Sequence, residues 1–188
     1  MEIGSFIGLD LKNTGEFYNG DTNIARLNSA RAGIYHSCRL YNCNSIYIPY
    51  YLCPTVKRFL LNHGIEVIPY FINDSFEPID LKQEKNHAVL LVNYFGILAP
   101  DKIMELARRY ENVIIDNSAA FYSYHSEGCY QVYSPRKFFG APDGCYVTGN
   151  NADMYVDGYE QDFSSPTASF LFKRMEYGTS ETYGERMK

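Results

Sequence analysis

The chain has 188 residues and a mass of 21.6 kDa, which leaves room for one sizeable core and makes two full domains a tight fit. A net charge of −5, a pI near 5.4 and the lack of any basic block argue against nucleic acid or an acidic membrane surface as partner, and favour a small metabolite or another protein. Five cysteines without a C-x-x-C pair and four dispersed histidines without H-E-x-x-H argue against a disulfide frame and a zinc site, and point to reduced thiols in the cytoplasm.

Met1 to Asp10 has no basic stretch ahead of an apolar run, so no signal peptide is expected, and no run reaches membrane-spanning length. Ser5 to Leu11 alternates loosely and reads as an edge strand. Ile24 to Leu27 is a short extended piece, and Ala30, Ile34, Cys38 and Tyr41 follow at helical spacing. Asn28 or Ser29 then sits at that helix's N-terminus, either as a simple cap or beside free N–H groups that hold a phosphate.

Ser45 to Pro49 reads as a buried strand and Pro54 to His63 as a helix with Val56, Phe59 and Leu60 on one face, closed by Gly64. Tyr51, in the loop between them, lies at a strand's carboxyl end, where its ring either stacks on a planar ligand or packs under the next helix. Ile65 to Phe71 is the next strand, and the apolar run Ala88 to Tyr94 suits the centre of a parallel sheet. Pro100 to Tyr110 reads as a helix with Ile103, Leu106, Ala107 and Tyr110 inward and Arg108 and Arg109 in its last turn.

Asn112 to Ile115 forms a strand that ends on Asp116. That carboxylate either points into the ligand edge, where it needs a positive or proton-donating partner, or caps the following turn. Gln131 to Tyr133 leads into the turn Ser134-Pro135-Arg136-Lys137, and Cys145 to Thr148 leaves it as a strand. Lys137 is a candidate nucleophile: burial and the adjacent Arg136 lower an amine's pKa, while Ser134, Gly140 and Gly144 suit a turn around an anion. Taken alone, the same turn reads as a surface turn with a solvated Lys-Arg pair. Thr167 to Tyr177 closes the chain as an amphipathic helix with Ala168, Leu171, Phe172 and Met175 inward, and the last ten residues read as a polar, disordered tail.

Alternating strands and helices imply an α/β fold, a mostly parallel sheet with helices on both faces and functional residues at the strands' carboxyl ends. A helix end, a ring, an acid, a serine and a lysine gathered at that edge match the needs of pyridoxal phosphate. No G-x-G-x-x-G or G-x-x-x-x-G-K-[ST] supports a plain nucleotide-binding module.

In the stretches Leu27 to Ala32, Ile48 to Cys53, Val92 to Gly96, Ile115 to Ser118 and Ser134 to Lys137 the chain resembles the DegT/StrS-type aminotransferases, a fold type I pyridoxal-phosphate family acting mostly on keto sugars attached to nucleotides. The resemblance implies Lys137 as the Schiff-base lysine, Asp116 as partner of the pyridine nitrogen, Ser29 and Ala30 as backbone donors to phosphate, Ser134 as a further phosphate contact and Tyr51 as the stacking ring. It also implies a homodimer, an amino donor such as glutamate and a keto sugar acceptor.

Two departures qualify this. Family members carry Gln or His three residues after the aspartate, where this chain has Ala119, and they continue into a smaller C-terminal domain. The expected organisation is therefore an N-terminal segment over 1–26, a pyridoxal-phosphate-binding large domain over 27–178 without the small domain, and a polar tail over 179–188. The rival expectation is a non-catalytic scaffold or dimerisation protein that keeps the sheet.

Overall fold

The computed structural model describes residues 15–18, 23–123, 128–164, 166 and 168–178. The edge strand expected over Ser5 to Leu11, the first residue of the last helix and the polar tail lie outside the described residues. Among the described residues seven strands form one sheet: β1 (Ile24–Leu27), β2 (Ser45–Pro49), β3 (Glu66–Tyr70), β4 (Ala88–Val92), β5 (Val113–Asp116), β6 (Tyr130–Tyr133) and β7 (Cys145–Thr148). Their spatial order is β1-β7-β6-β5-β4-β2-β3. The pairs from β6 through β3 are parallel, whereas β7 is antiparallel to both of its neighbours.

Side-chain alternation along the strands divides the core in two. Ala88 and Leu90 of β4 and Ile114 of β5 face α1 (Ala30–Leu40) and α2 (Pro54–Asn62), where Ile34, Cys38, Val56 and Leu60 close one layer. Val89, Leu91, Val113 and Ile115 face the opposite way, against Ile103 and Leu106 of α3 (Pro100–Ala107). Central strands buried on both faces read as unbroken apolar runs, as β4 and β5 do. The mostly parallel α/β sheet with helices on both faces expected from the sequence is the one found. Among the described residues no helix is long and apolar enough to cross a membrane.

Two local expectations need correcting. The third helix ends at Ala107, so Arg108 and Arg109 lie past its last turn; Arg109 instead turns back to Glu105 and Glu77. In α4 (Ser169–Tyr177), Leu171 is buried as expected, but Phe172 and Met175 are 56% and 57% exposed, and Phe170 and Arg174 take the inner face. The Arg174 guanidinium lies 4.8 Å over the Phe170 ring, and an arginine that buries its stem and stacks its head fills a place that apolar periodicity assigns to a methionine.

Candidate active site

The parallel strands all end at one edge of the sheet, and a cleft of about 600 Å³ opens there. Its lining includes Ser29, Ala30, Tyr51, Asp116, Ser134 and Lys137, so all six candidate residues from four separate chain segments share one cavity. A larger groove of about 880 Å³, between α1 and the segment around 156–164, contains none of the candidate lysine and strand-tip residues.

Asp116 is the last residue of β5, only 5% exposed, and faces the α1 side, as Ile114 does two residues earlier. One carboxylate oxygen, Oδ1, accepts the Ser118 N–H at 2.8 Å, so the residue both caps its turn and lines the cleft. A buried polar network fixes the neighbouring strand tips. Asn93 N–H donates to the Asp116 carbonyl at 3.1 Å, the Asn93 amide donates to Asn117 Oδ1 at 3.0 Å, and Asn117 Nδ2 and the Tyr133 hydroxyl both reach Gln131 Oε1. These bonds hold the strand tips in one geometry, because any slip leaves further polar groups buried without partners; Asn93 Oδ1 is already buried without one.

Helix α1 enters the cleft with its N-terminus uncapped by any side chain. Ser29 occupies the N-cap position, yet its hydroxyl donates to Asn28 Oδ1 at 2.9 Å, and Asn28 Nδ2 donates to Asp162 Oδ2 at 2.7 Å. Of the two expectations for this end, a cap or an open donor site, the geometry matches the open one. The lysine turn is tied to it by Gly144 N–H, which donates to the Asn28 carbonyl at 2.9 Å. Gly144 has φ +109, and a Cβ there would lie 3.2 Å from Pro135 Cγ, so glycine lets this chain segment pass behind the turn.

Ser134 is 2% exposed and leads into a single 3₁₀ turn, Pro135–Lys137. The Lys137 side chain has much of its surface open to the cleft, while the protein around its ammonium is dense. This partial desolvation, assisted by Arg136, lowers the amine's pKa, and the charges of Asp116 and Cys53 work against it. Arg136 is itself lowered, first by desolvation and next by Arg31. Tyr51 does not pack under α2. Its ring is 62% exposed and is backed by Tyr94, with centroids 5.5 Å apart and planes at 28°, while the Tyr94 hydroxyl donates to the Tyr51 carbonyl at 2.6 Å.

Ala119 lines the cleft with these residues, as do Arg31, Cys53, Thr55, Phe95 and Ser118, which sequence reasoning did not assign to the site. Arg31 and Thr55 carry a faint signal, since each is within two residues of an expected helix start. Ser118 follows Asp116 closely enough to be suspected. Phe95 lies in the resembling stretch Val92 to Gly96, but its residue type by itself gives no sign of a ligand role.

No family model matches the chain, and no curated protein matches it by sequence. Solved structures do match. DesV of S. venezuelae is 16% identical, with a TM-score of 0.55 over 84% of this chain and 53% of its own. The L-threonine-O-3-phosphate decarboxylase of Porphyromonas gingivalis is 17% identical, with a TM-score of 0.57 over 85% of this chain and 56% of its own. The sugar aminotransferase CalS13 of Micromonospora echinospora is 16% identical, with a TM-score of 0.55 over 71% of this chain and 43% of its own. The chain thus spans about half the length of the structures it matches. At these identities the likeness concerns the fold alone, and that fold is the fold type I fold of pyridoxal-phosphate-dependent transferases.

Proposed function

We propose that residues 27–178 form the pyridoxal-phosphate-binding part of an aminotransferase of the DegT/StrS type, one that delivers an amino group to a keto sugar nucleotide. The observation that carries this reading is the convergence of Lys137, Asp116, Tyr51, Ser134 and the uncapped start of α1 in one cleft. The donor set fits the cofactor's phosphate, ring nitrogen, aromatic plane and aldehyde. The open N–H groups at Ala30 and Arg31, with the Ser134 hydroxyl, suit its phosphate, and the buried Asp116 carboxylate suits a protonated ring nitrogen. The exposed Tyr51 ring suits its aromatic plane, and a partly desolvated amine at Lys137 suits its aldehyde. The Ser118 hydroxyl, buried in the same lining without a hydrogen-bond partner, leaves a further polar atom for a ligand to satisfy.

Bound there, pyridoxal phosphate supplies an electron sink for breaking a C–H bond next to an amine. Lys137 Nζ would hold the cofactor's aldehyde end and, when free, would take and return the proton at the amino donor's alpha carbon. Burial lowers its pKa, which favours the neutral amine that accepts a proton. Asp116 would hold the proton on the ring nitrogen, and the Asn93–Asn117–Gln131 network holds the strand tip that carries Asp116. The reading also carries a homodimer, supported by Tyr50, Phe71 and Phe95, which are 73%, 67% and 65% exposed near the strands' carboxyl edge.

Ala119 favours a second reading. Its methyl group lines the cleft where the resembling family places Gln or His, and it offers no hydrogen bond there, as a binding scaffold without turnover would tolerate. Adding pyridoxal phosphate to the full chain, recording the visible spectrum, reducing with borohydride and mapping peptides tests the main reading. The pyridoxyl group is expected on Lys137; label on any other lysine, or none, overturns it. Glutamate separates the two readings, since it bleaches the visible band of an aminotransferase and leaves that of a scaffold unchanged.

A further inference from the structure

We infer that Phe76 and Tyr94 are positioning residues for the Tyr51 ring, and that through it they set how tightly and in what orientation the cleft holds pyridoxal phosphate. Tyr51 stands in the β2–α2 loop with 62% of its surface exposed, and a ring on a loop keeps one orientation toward a cleft only when something behind it holds it there. Tyr94 holds it in two ways. The rings lie with centroids 5.5 Å apart and planes at 28°, and the Tyr94 hydroxyl donates to the Tyr51 carbonyl at 2.6 Å, so ring and backbone are gripped by the same side chain. Tyr94 itself is only 7% exposed, just past the tip of the central strand β4, and is packed where Tyr51 is not.

Phe76 supports this pair from outside the cleft. Its ring lies against Tyr94 with centroids 4.9 Å apart and planes at 31°, yet Phe76 is not among the residues that line the cleft. Its backbone has φ +61, a left-handed conformation that is costly for a bulky side chain and that the turn around it enforces. Asn73 builds that turn: its Oδ1 accepts the Ser75 and Glu77 N–H groups at 2.9 and 3.0 Å, and its carbonyl accepts the Phe76 N–H at 2.9 Å. Glu77 then ties the turn to α3 through Lys102 Nζ at 2.9 Å. Strain held by so many bonds, in a turn whose ring packs on the residue behind Tyr51, marks a placement that matters at the cleft.

The effect on the cofactor rests on the proposed function, whereas the support of the ring is read in the chain alone. Carbon-13 NMR of ring-labelled tyrosine, with the Tyr51 signal identified by its loss in Tyr51→Phe, reads it without cofactor: Phe76→Gly and Tyr94→Leu are expected to shift that signal toward the position of a free tyrosine. Glycine adopts the φ of residue 76 without strain, so Phe76→Gly removes the ring and keeps the turn, and far-UV circular dichroism verifies that each variant folds. Titration with pyridoxal phosphate, followed by visible absorbance and visible circular dichroism, reads the cofactor. Phe76→Gly is expected to weaken binding about threefold or more and Tyr94→Leu about tenfold or more, each with a smaller visible dichroic band, because an offset ring pair contributes a free energy in that range. Tyr94→Phe, which keeps the ring and loses the hydroxyl bond, should fall between Tyr94→Leu and the unsubstituted chain. In a Tyr51→Ala background Phe76→Gly should weaken binding no further, since it acts through that ring. Phe172→Ala, which removes an exposed ring from α4, is the control and is expected to bind as the unsubstituted chain does. An unmoved Tyr51 signal in folded Phe76→Gly, an unchanged affinity there, or equal weakening with and without the Tyr51 ring overturns the inference. A Tyr51 signal that moves in a chain binding no pyridoxal phosphate upholds the support of the ring and defeats the proposed function; an unmoved signal in a chain that binds pyridoxal phosphate on Lys137 defeats the support alone.

Discussion

Gly33 is the point at which helix α1 presses closest on the sheet, so its substitution by alanine tests how the cleft is held. A Cβ built there would lie 2.6 Å from Cys145 Sγ and 3.0 Å from both Val132 Cγ1 and Val147 Cγ2. None of the three neighbours yields easily: Cys145 is 2% exposed, and two β-branched valines on adjacent strands have little rotamer freedom. Overpacking of a well-packed core costs about 1–3 kcal/mol, and three simultaneous contacts put this case near the upper figure. Alanine regains about 1 kcal/mol over glycine through helix propensity. The net loss is then about 2 kcal/mol, which for a chain of this size lowers Tm by roughly 4–8 °C. Thermal and urea unfolding measure it. Adding Cys145→Ala removes the nearest atom, and the double variant should recover about 1 kcal/mol relative to the sum of the single changes. Because α1 also carries Ser29, Ala30 and Arg31, phosphate affinity should fall along with stability. A Gly33→Ala chain as stable as the unsubstituted one would refute the claim that this contact sets the distance between α1 and the sheet.

Asp116→Asn should keep the fold, weaken pyridoxal phosphate binding by tenfold or more, and lower the Lys137 pKa further, because the carboxylate is the main influence raising it. Competitive acetylation across pH reads this directly: Lys137 should become reactive at lower pH than Lys102, whose pKa is raised by Glu77 and Glu105, and at lower pH still in the variant; an unmoved Lys137 profile counts against the pairing. His36 gives a stability prediction. Burial lowers its pKa in the folded chain, and its ring bridges the Tyr159 hydroxyl at 2.9 Å and the Ala152 carbonyl at 2.7 Å. The unfolded chain therefore takes up this proton first, so stability should decline as pH falls through the unfolded value of about 6.5, down to the folded value. His36→Gln should show a shallower decline between pH 7 and 5, and equal slopes would show that His36 does not contribute.

Much of the fold and part of the site could be read before any coordinates. The unbroken apolar run of β4, the Pro54 and Pro100 helix starts and the end of β5 at Asp116 are local signals, carried by residues close in sequence. Tertiary structure alone decided what lies across from what. The order β1-β7-β6-β5-β4-β2-β3 and the reversed β7 depend on backbone pairing between strands far apart in sequence. The inner face of α4 was misread because a buried, stacked arginine carries no apolar signature. Arg31, Thr55, Phe95 and Ser118 join the lysine turn because α1 and α2 start, and β4 and β5 end, at the same edge of the sheet. Hydrophobic periodicity tells which side of an element is buried, but which side chains meet at its end is set by the partners the sheet places beside it.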